Sequence, residues 1–283
     1  MSVDRLCFGT STFVAGRLRP GIDSAPGLAA LREALAAGVR LIHSNPGLGT
    51  QWAIREAMAS AGRPDGVRHL VKVEVPLHMD EEEARQVIRC TLELSRKNLG
   101  ADQIHTAVIE PDLKRTVCRP CLVDYEKITR FYQFAAEQVL KTGDACEVLA
   151  FCPSPSYLEA SLRADLITGC AAQYNLVEAW PALHLDRISD AERTFVGMAP
   201  LRRGALVDHT ANASLDQLRS LRWALAHPVV SLVTVTMSSP GHVAEILSAA
   251  ENPLPASSVH IHARSWEAAA APAPSRKSDH APG

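Results

Sequence analysis

Short apolar runs and longer segments of helical period alternate along most of this chain. RLCFG opens the series as a strand, and SAPGLAALREALAAGV follows with leucines at helical spacing and Gly38 as a C-cap. RLIH is the second strand and HLVKVEVP the third, stopped by Pro76, with the helix QWAIREAMASAG between them. DEEEARQVIRCTLELSRKNLG is the clearest helix. Asp80 suits its N-cap, acids fill the first turn, Arg96 and Lys97 sit in the last, and Gly100 closes it. HTAVIEP, EVLAFC, TGCAAQYN, RTFVGMAP and VSLVTVT continue as strands four to eight. The helices between them are VDYEKITRFYQFAAEQVLKTG, SPSYLEASLRA, one around HLDRISDAE, and SLDQLRSLRWALAH; SSPGHVAEILSAAE closes the series.

Eight short apolar strands in strict alternation with eight crossover helices predict a parallel sheet covered on its outer face. In a chain of this length that points to a closed (β/α)8 TIM barrel of the α/β class, a single domain over residues 1–264. Residues 265–283 are alanine- and proline-rich with little to bury, and are expected to be a disordered tail. Chemistry in such a barrel gathers at the carboxyl ends of the strands. The residues there are His43, Ser44, Asn45, Lys72, Glu74, Glu110, Cys152, Ser154, the run Gln173–Tyr174–Asn175, Met198, and the stretch from Thr236 to Ser239.

Composition narrows the classes of function. The 29 basic and 31 acidic residues are interspersed, with no basic stripe for nucleic acid or an anionic membrane. No apolar stretch approaches the roughly 20 residues that span a bilayer, and MSVDRLCFGT lacks a secretory pattern, so a cytoplasmic protein is expected. Seven cysteines do not suggest a disulfide framework, and Cys7, Cys90, Cys146, Cys152 and Cys170 sit among apolar neighbours as expected buried thiols. Cys118 and Cys121 form an isolated C-x-x-C, read as incidental loop thiols, and no metal is expected. His209, His260 and His262 lack metal-ligand spacing. Abundant Arg, Ala and Gly suggest a bacterial source.

At the strand ends the sequence resembles the aldo-keto reductase superfamily. LCFGTSTF looks like that family's opening strand, and GVRLIHSNPGLG like its G-[VI]-x-x-[IF]-D-T-A-x-x-Y-G segment. HLVKVEVP, ELSRKNLGADQIHTAVIEPD, APLRRGAL and LRWALAHP with MSSPGHVAEIL resemble further segments in the family's order. The resemblance implies a catalytic tetrad at the barrel mouth and an NADPH cofactor. Carried over by position, the aspartate falls on His43, the tyrosine on Leu48, the lysine on Lys72 and the histidine on Glu110; only the lysine is kept. Leucine can neither donate a proton nor hydrogen-bond an alkoxide. The family's nicotinamide contacts fall on Ala171, Pro153–Ser154 and Met198, and its 2′-phosphate contact on Ser238. Arg202, Arg203, Ser238 and Ser239 remain as contacts for a nucleotide or other anion, if one binds.

Three former tetrad positions thus keep ionisable groups of changed type, where drift to an inert core would leave apolar ones. The leading expectation is a non-redox enzyme, of lyase, isomerase or cyclase type, acting in biosynthesis on a small carbonyl- or hydroxyl-bearing metabolite, with no cofactor. Lys72 would be the base or imine-forming amine, His43 a proton shuttle titrating near neutrality, and Glu110 its carboxylate partner. Glu74, Asn45, Tyr174 and Asn175 would contact substrate. Alternatives are a divergent NADPH- or NADH-dependent reductase with another general acid, and a pseudoenzyme that acts as a binding partner, with Lys72 and Glu110 as a purely structural ion pair.

Overall fold

A computed structural model of the protein describes residues 3–11, 25–111, 124–208 and 214–259. The Cys118/Cys121 pair, His209, His260, His262 and the tail at 265–283 lie outside the described residues. Eight strands close in sequence order into one all-parallel barrel: β1 (Leu6–Gly9), β2 (Leu41–Ser44), β3 (Arg68–Val75), β4 (Ile104–Pro111), β5 (Ala145–Phe151), β6 (Gly169–Gln173), β7 (Thr194–Met198) and β8 (Val230–Thr236). β8 closes on β1, with Thr236 opposite Gly9. The alternation in the sequence is therefore the (β/α)8 barrel it predicts.

Two apolar layers hold it. Outward-facing residues such as Phe8, Ile42, Val71, Ile109, Ala150 and Phe195 pack against the helices in one large core. Inward-facing Cys7, Leu41, Leu70, Val108, Leu149, Ala171 and Val196 fill the barrel, with Phe151 and Met198 towards its carboxyl end. Burial of both faces explains why the strands are nearly continuous apolar runs.

The helices are α1 (Ala25–Ala36), α2 (Gln51–Ser60), α3 (Glu81–Leu99), α4 (Tyr125–Thr142), α5 (Pro155–Leu162), α6 (Leu185–Asp190), α7 (Ser214–Gln217), α8 (Arg219–Ala224) and α9 (Pro240–Glu251). α3 is built as its caps predict: the Asp80 side chain accepts from Glu83 N at 2.9 Å, and Gly100 ends it at φ 63°. SLDQLRSLRWALAH departs from expectation by dividing into α7 and α8. The Gln217 carbonyl is taken by Asp208 N at 3.1 Å, and Leu218 leaves helical geometry beside it. Cys90 and Cys146 also depart from expectation: both are exposed, whereas Cys7, Cys152 and Cys170 are buried. No helix among the described residues is long and apolar enough to cross a membrane.

Candidate functional site at the barrel mouth

Strand alternation builds the mouth directly. Leu41 faces the barrel interior, so His43, two residues on, faces it one layer higher. The same parity brings Lys72 and Glu74 inward after Leu70 on β3, and Glu110 inward after Val108 on β4. Thr10 holds the end of β2, its hydroxyl donating to the His43 carbonyl at 3.1 Å and lying 3.2 Å from Thr50 Oγ1. Asn45 then caps a short 3-10 turn, Pro46–Leu48, by accepting from Gly47 N at 2.8 Å, and Gly49 leaves the turn at φ 64°. This turn sets Leu48, half-buried, at the rim.

The Lys72 ammonium is ion-paired with Glu110, and its Nζ lies 4.6 Å from the centroid of the Phe151 ring. Their side chains are only 15% and 22% exposed, so the pair is largely withdrawn from water. Beside it, the His43 Nε2 is buried with no hydrogen-bond partner among the described residues. Burial, and then the charge of Lys72, push the imidazole down to about 3. The expected shuttle titrating near neutrality is corrected: the ring stays neutral because it is desolvated next to a cation. Glu74 stands opposite Glu110 in the strand register, and its Oε1 accepts from Asn45 Nδ2 at 2.6 Å. His43, Asn45, Lys72, Glu74 and Glu110 thus come together on one side of the mouth.

Two expected substrate contacts do not join them. β6 ends at Gln173, and the next residue, Tyr174, turns away from the mouth into the outer core. Its ring packs edge-on against Phe195 at 5.4 Å and tilted by 37° against Trp223 at 4.6 Å, and burial raises its phenol above the ordinary range. Asn175 is fully buried and committed to a turn. Its Nδ2 donates to Glu178 Oε2 at 2.8 Å and to the Ala199 carbonyl at 3.1 Å, while its Oδ1 accepts from Val177 N and Glu178 N. Arg202 and Arg203 are exposed in the turn after β7, both in left-handed backbone at φ 46° and 57°. Ser238 Oγ lies 2.8 Å from His242 Nδ1, and Ser239 caps α9.

The sequence marks neither Phe151 nor Glu178 as a site residue, yet both line a cavity of about 100 Å³ with Cys152, Pro153, Gln173 and Trp180. The parity of β5, with Leu149 facing inward, was the available signal for Phe151. Glu178 lies in a turn without periodicity and gave none. A larger hollow, about 390 Å³, is a shallow notch at α5 and α6 away from the strand ends, where Arg187 and Glu159 pair with each other. Among the described residues no three His, Cys, Asp or Glu side chains gather as metal ligands.

The architecture is that of the aldo-keto reductases. A thermostable aldo-keto reductase determined with the inhibitor epalrestat superposes with a TM-score of 0.68 at 20% identity, covering 92% of this chain and 94% of that one. The holo form of an aldo-keto reductase from Bacillus halodurans gives 0.67 at 18% identity, covering 93% and 91%. An aldo-keto reductase from a Medee basin deep-sea metagenome library gives 0.66 at 15%, covering 92% and 90%. No protein-family model matches the sequence, and no curated protein does. The chain has the aldo-keto reductase fold.

Proposed function

We propose that this protein is a non-redox enzyme that moves protons on a small carbonyl- or hydroxyl-bearing metabolite, in a lyase, isomerase or cyclase reaction. The observation that carries this reading is the Lys72–Glu110 ion pair inside the barrel mouth, flanked by Glu74 and the buried His43 nitrogen. Lys72 presents an ammonium to the carbonyl oxygen, and Glu110 holds it there. Glu74, oriented by Asn45 through Oε1, takes a proton from the neighbouring carbon. The C–H electron pair forms the new carbon–carbon double bond while the carbonyl π pair moves to the oxygen, giving an enolate that Lys72 stabilises. Where that carbon also carries a hydroxyl, passage of the hydroxyl proton to the first oxygen and return of the carbon-bound proton to the former carbonyl carbon give the isomeric hydroxycarbonyl. Where a β-substituent is present, it departs with its bonding pair and leaves an α,β-unsaturated carbonyl. His43, held neutral, contributes a hydrogen bond through Nε2.

The residues suit a nicotinamide ring poorly. Met198, where the resemblance calls for an aromatic stacking partner, is sunk in the barrel-interior cluster. Ala171, where it calls for an amide, is an apolar wall. Leu48 at the rim offers no proton to a ketone. The fold neighbours favour a second reading, an NADPH- or NADH-dependent reductase, in which exposed Arg202 and Arg203 would meet a dinucleotide's phosphates.

Incubating the protein with small ketones and aldehydes in D2O, and following loss of α-proton signals by NMR, tests the proposal. Exchange above the buffer rate is expected, and Lys72→Met or Glu74→Gln should lower it about 10²-fold or more. Saturable NADPH binding with ketone turnover, and no exchange, would overturn it.

A further inference from the structure

The geometry points to a cation subsite beside the catalytic pair: the cavity lined by Phe151, Gln173, Glu178 and Trp180 takes the ammonium group of an amino-carbonyl substrate. This inference rests on the proton-transfer reading for the carbonyl half of that molecule.

Glu178 is the central observation. Its carboxylate accepts from Asn175 Nδ2 at 2.8 Å. The Gln173 amide nitrogen, in the orientation that gives both of its polar atoms partners, donates to Oε2 at 2.8 Å and to Oε1 at 2.5 Å. Both donors are neutral amides, so they orient the carboxylate without supplying an opposite charge. Among the described residues no basic side chain pairs with it.

Two aromatic rings, Phe151 and the buried Trp180, share the same cavity. Aromatic rings and a carboxylate around a small cavity attract an organic cation and disfavour an anion. Phe151 already accepts one cation, Lys72, whose own charge is offset by Glu110. The ring is common to the cavity wall and the Lys72 contact, so one small molecule can reach both. A volume of about 100 Å³ fits an ammonium with a short carbon stem. The substrate class is therefore a small amino ketone or amino aldehyde.

Calorimetric titration with aminoacetone and with hydroxyacetone, its neutral analogue, tests this on the full chain. Aminoacetone should bind about tenfold tighter, and tetramethylammonium should compete with it. Glu178→Gln should erase the preference while circular dichroism shows an intact fold. Lys72→Met should keep the preference yet lose deuterium exchange. Equal affinities in the unsubstituted protein, a measurement independent of any variant, would overturn the subsite, as would a preference that survives Glu178→Gln. Competition by NADPH for a site that Glu178→Gln leaves unchanged would overturn it too. Ammonium preference without exchange would instead sink the proton-transfer reading alone.

Discussion

Lys72 on β3 pairs with Glu110 on β4, although the strand register sets Lys72 beside Val108 and Glu74 beside Glu110. The lysine therefore reaches one inward position up the barrel. That leaves Glu74 tethered to Asn45 rather than to a cation. The mouth holds two carboxylates in different states, Glu110 paired with a cation and Glu74 held, among the described residues, by a neutral amide.

Removing one member of this pair should cost more than removing both. Lys72→Met leaves the Glu110 carboxylate without its cation in a largely dry site, at about 1–3 kcal/mol. The double variant Lys72→Met/Glu110→Gln should recover part of that loss. Urea unfolding midpoints of the three proteins check this, and equal midpoints for the single and double variants would contradict it.

Stability should fall on acidification before most carboxylates titrate. Burial pushes His43 down to about 3 and His69 down to about 4, against about 6.5 when unfolded. Below the unfolded value the unfolded chain binds more protons than the native one. The stabilisation is complete above about pH 6.5 and is lost as pH falls towards the folded values. Urea midpoints should drop between about pH 7 and pH 5, and less so in His43→Gln/His69→Gln. An unchanged slope in that variant would assign the loss elsewhere.

Gly169 opens β6 directly opposite Thr194 on β7. A Cβ there would lie 2.7 Å from the Thr194 carbonyl oxygen and 2.7 Å from Leu149 Cδ2, and closer still to Thr194 Oγ1. The strands must separate to admit it, so Gly169→Ala should destabilise by about 1–3 kcal/mol. A thermal midpoint equal to the parent's would show that the strands give way easily.

Asp80 is the one N-cap of α3, and Asp80→Ala should cost about 1 kcal/mol, with Asp80→Asn close to the parent. Comparing the two by denaturant titration separates the hydrogen bond from the charge at the helix start.

Much of the fold was legible because its signals are local. The Asp80 cap, the acids after it and Gly100 lie within one helix, and they end it where the structure does. Parity along single strands placed Lys72, Glu74 and Glu110 on one face. Tyr174 was misplaced because β6 offers two adjacent alanines, 171 and 172, and nothing in the pattern says which faces inward. Ala171 does, so Tyr174 falls on the helix side. Glu178 carried no signal at all, since its turn has no period.

By itself, then, the sequence determined the order of the strands and of most helices, the caps of α3, and the ionisable residues at the strand ends. These follow from periodicity and hydrogen bonding among near neighbours. Closure of the barrel decided the rest: that Lys72 meets Glu110, that His43 is dry enough to stay neutral, and that Glu178 joins Phe151 and Trp180 around one cavity. Desolvation and charge pairing depend on which strand ends converge, and only the folded chain brings those together.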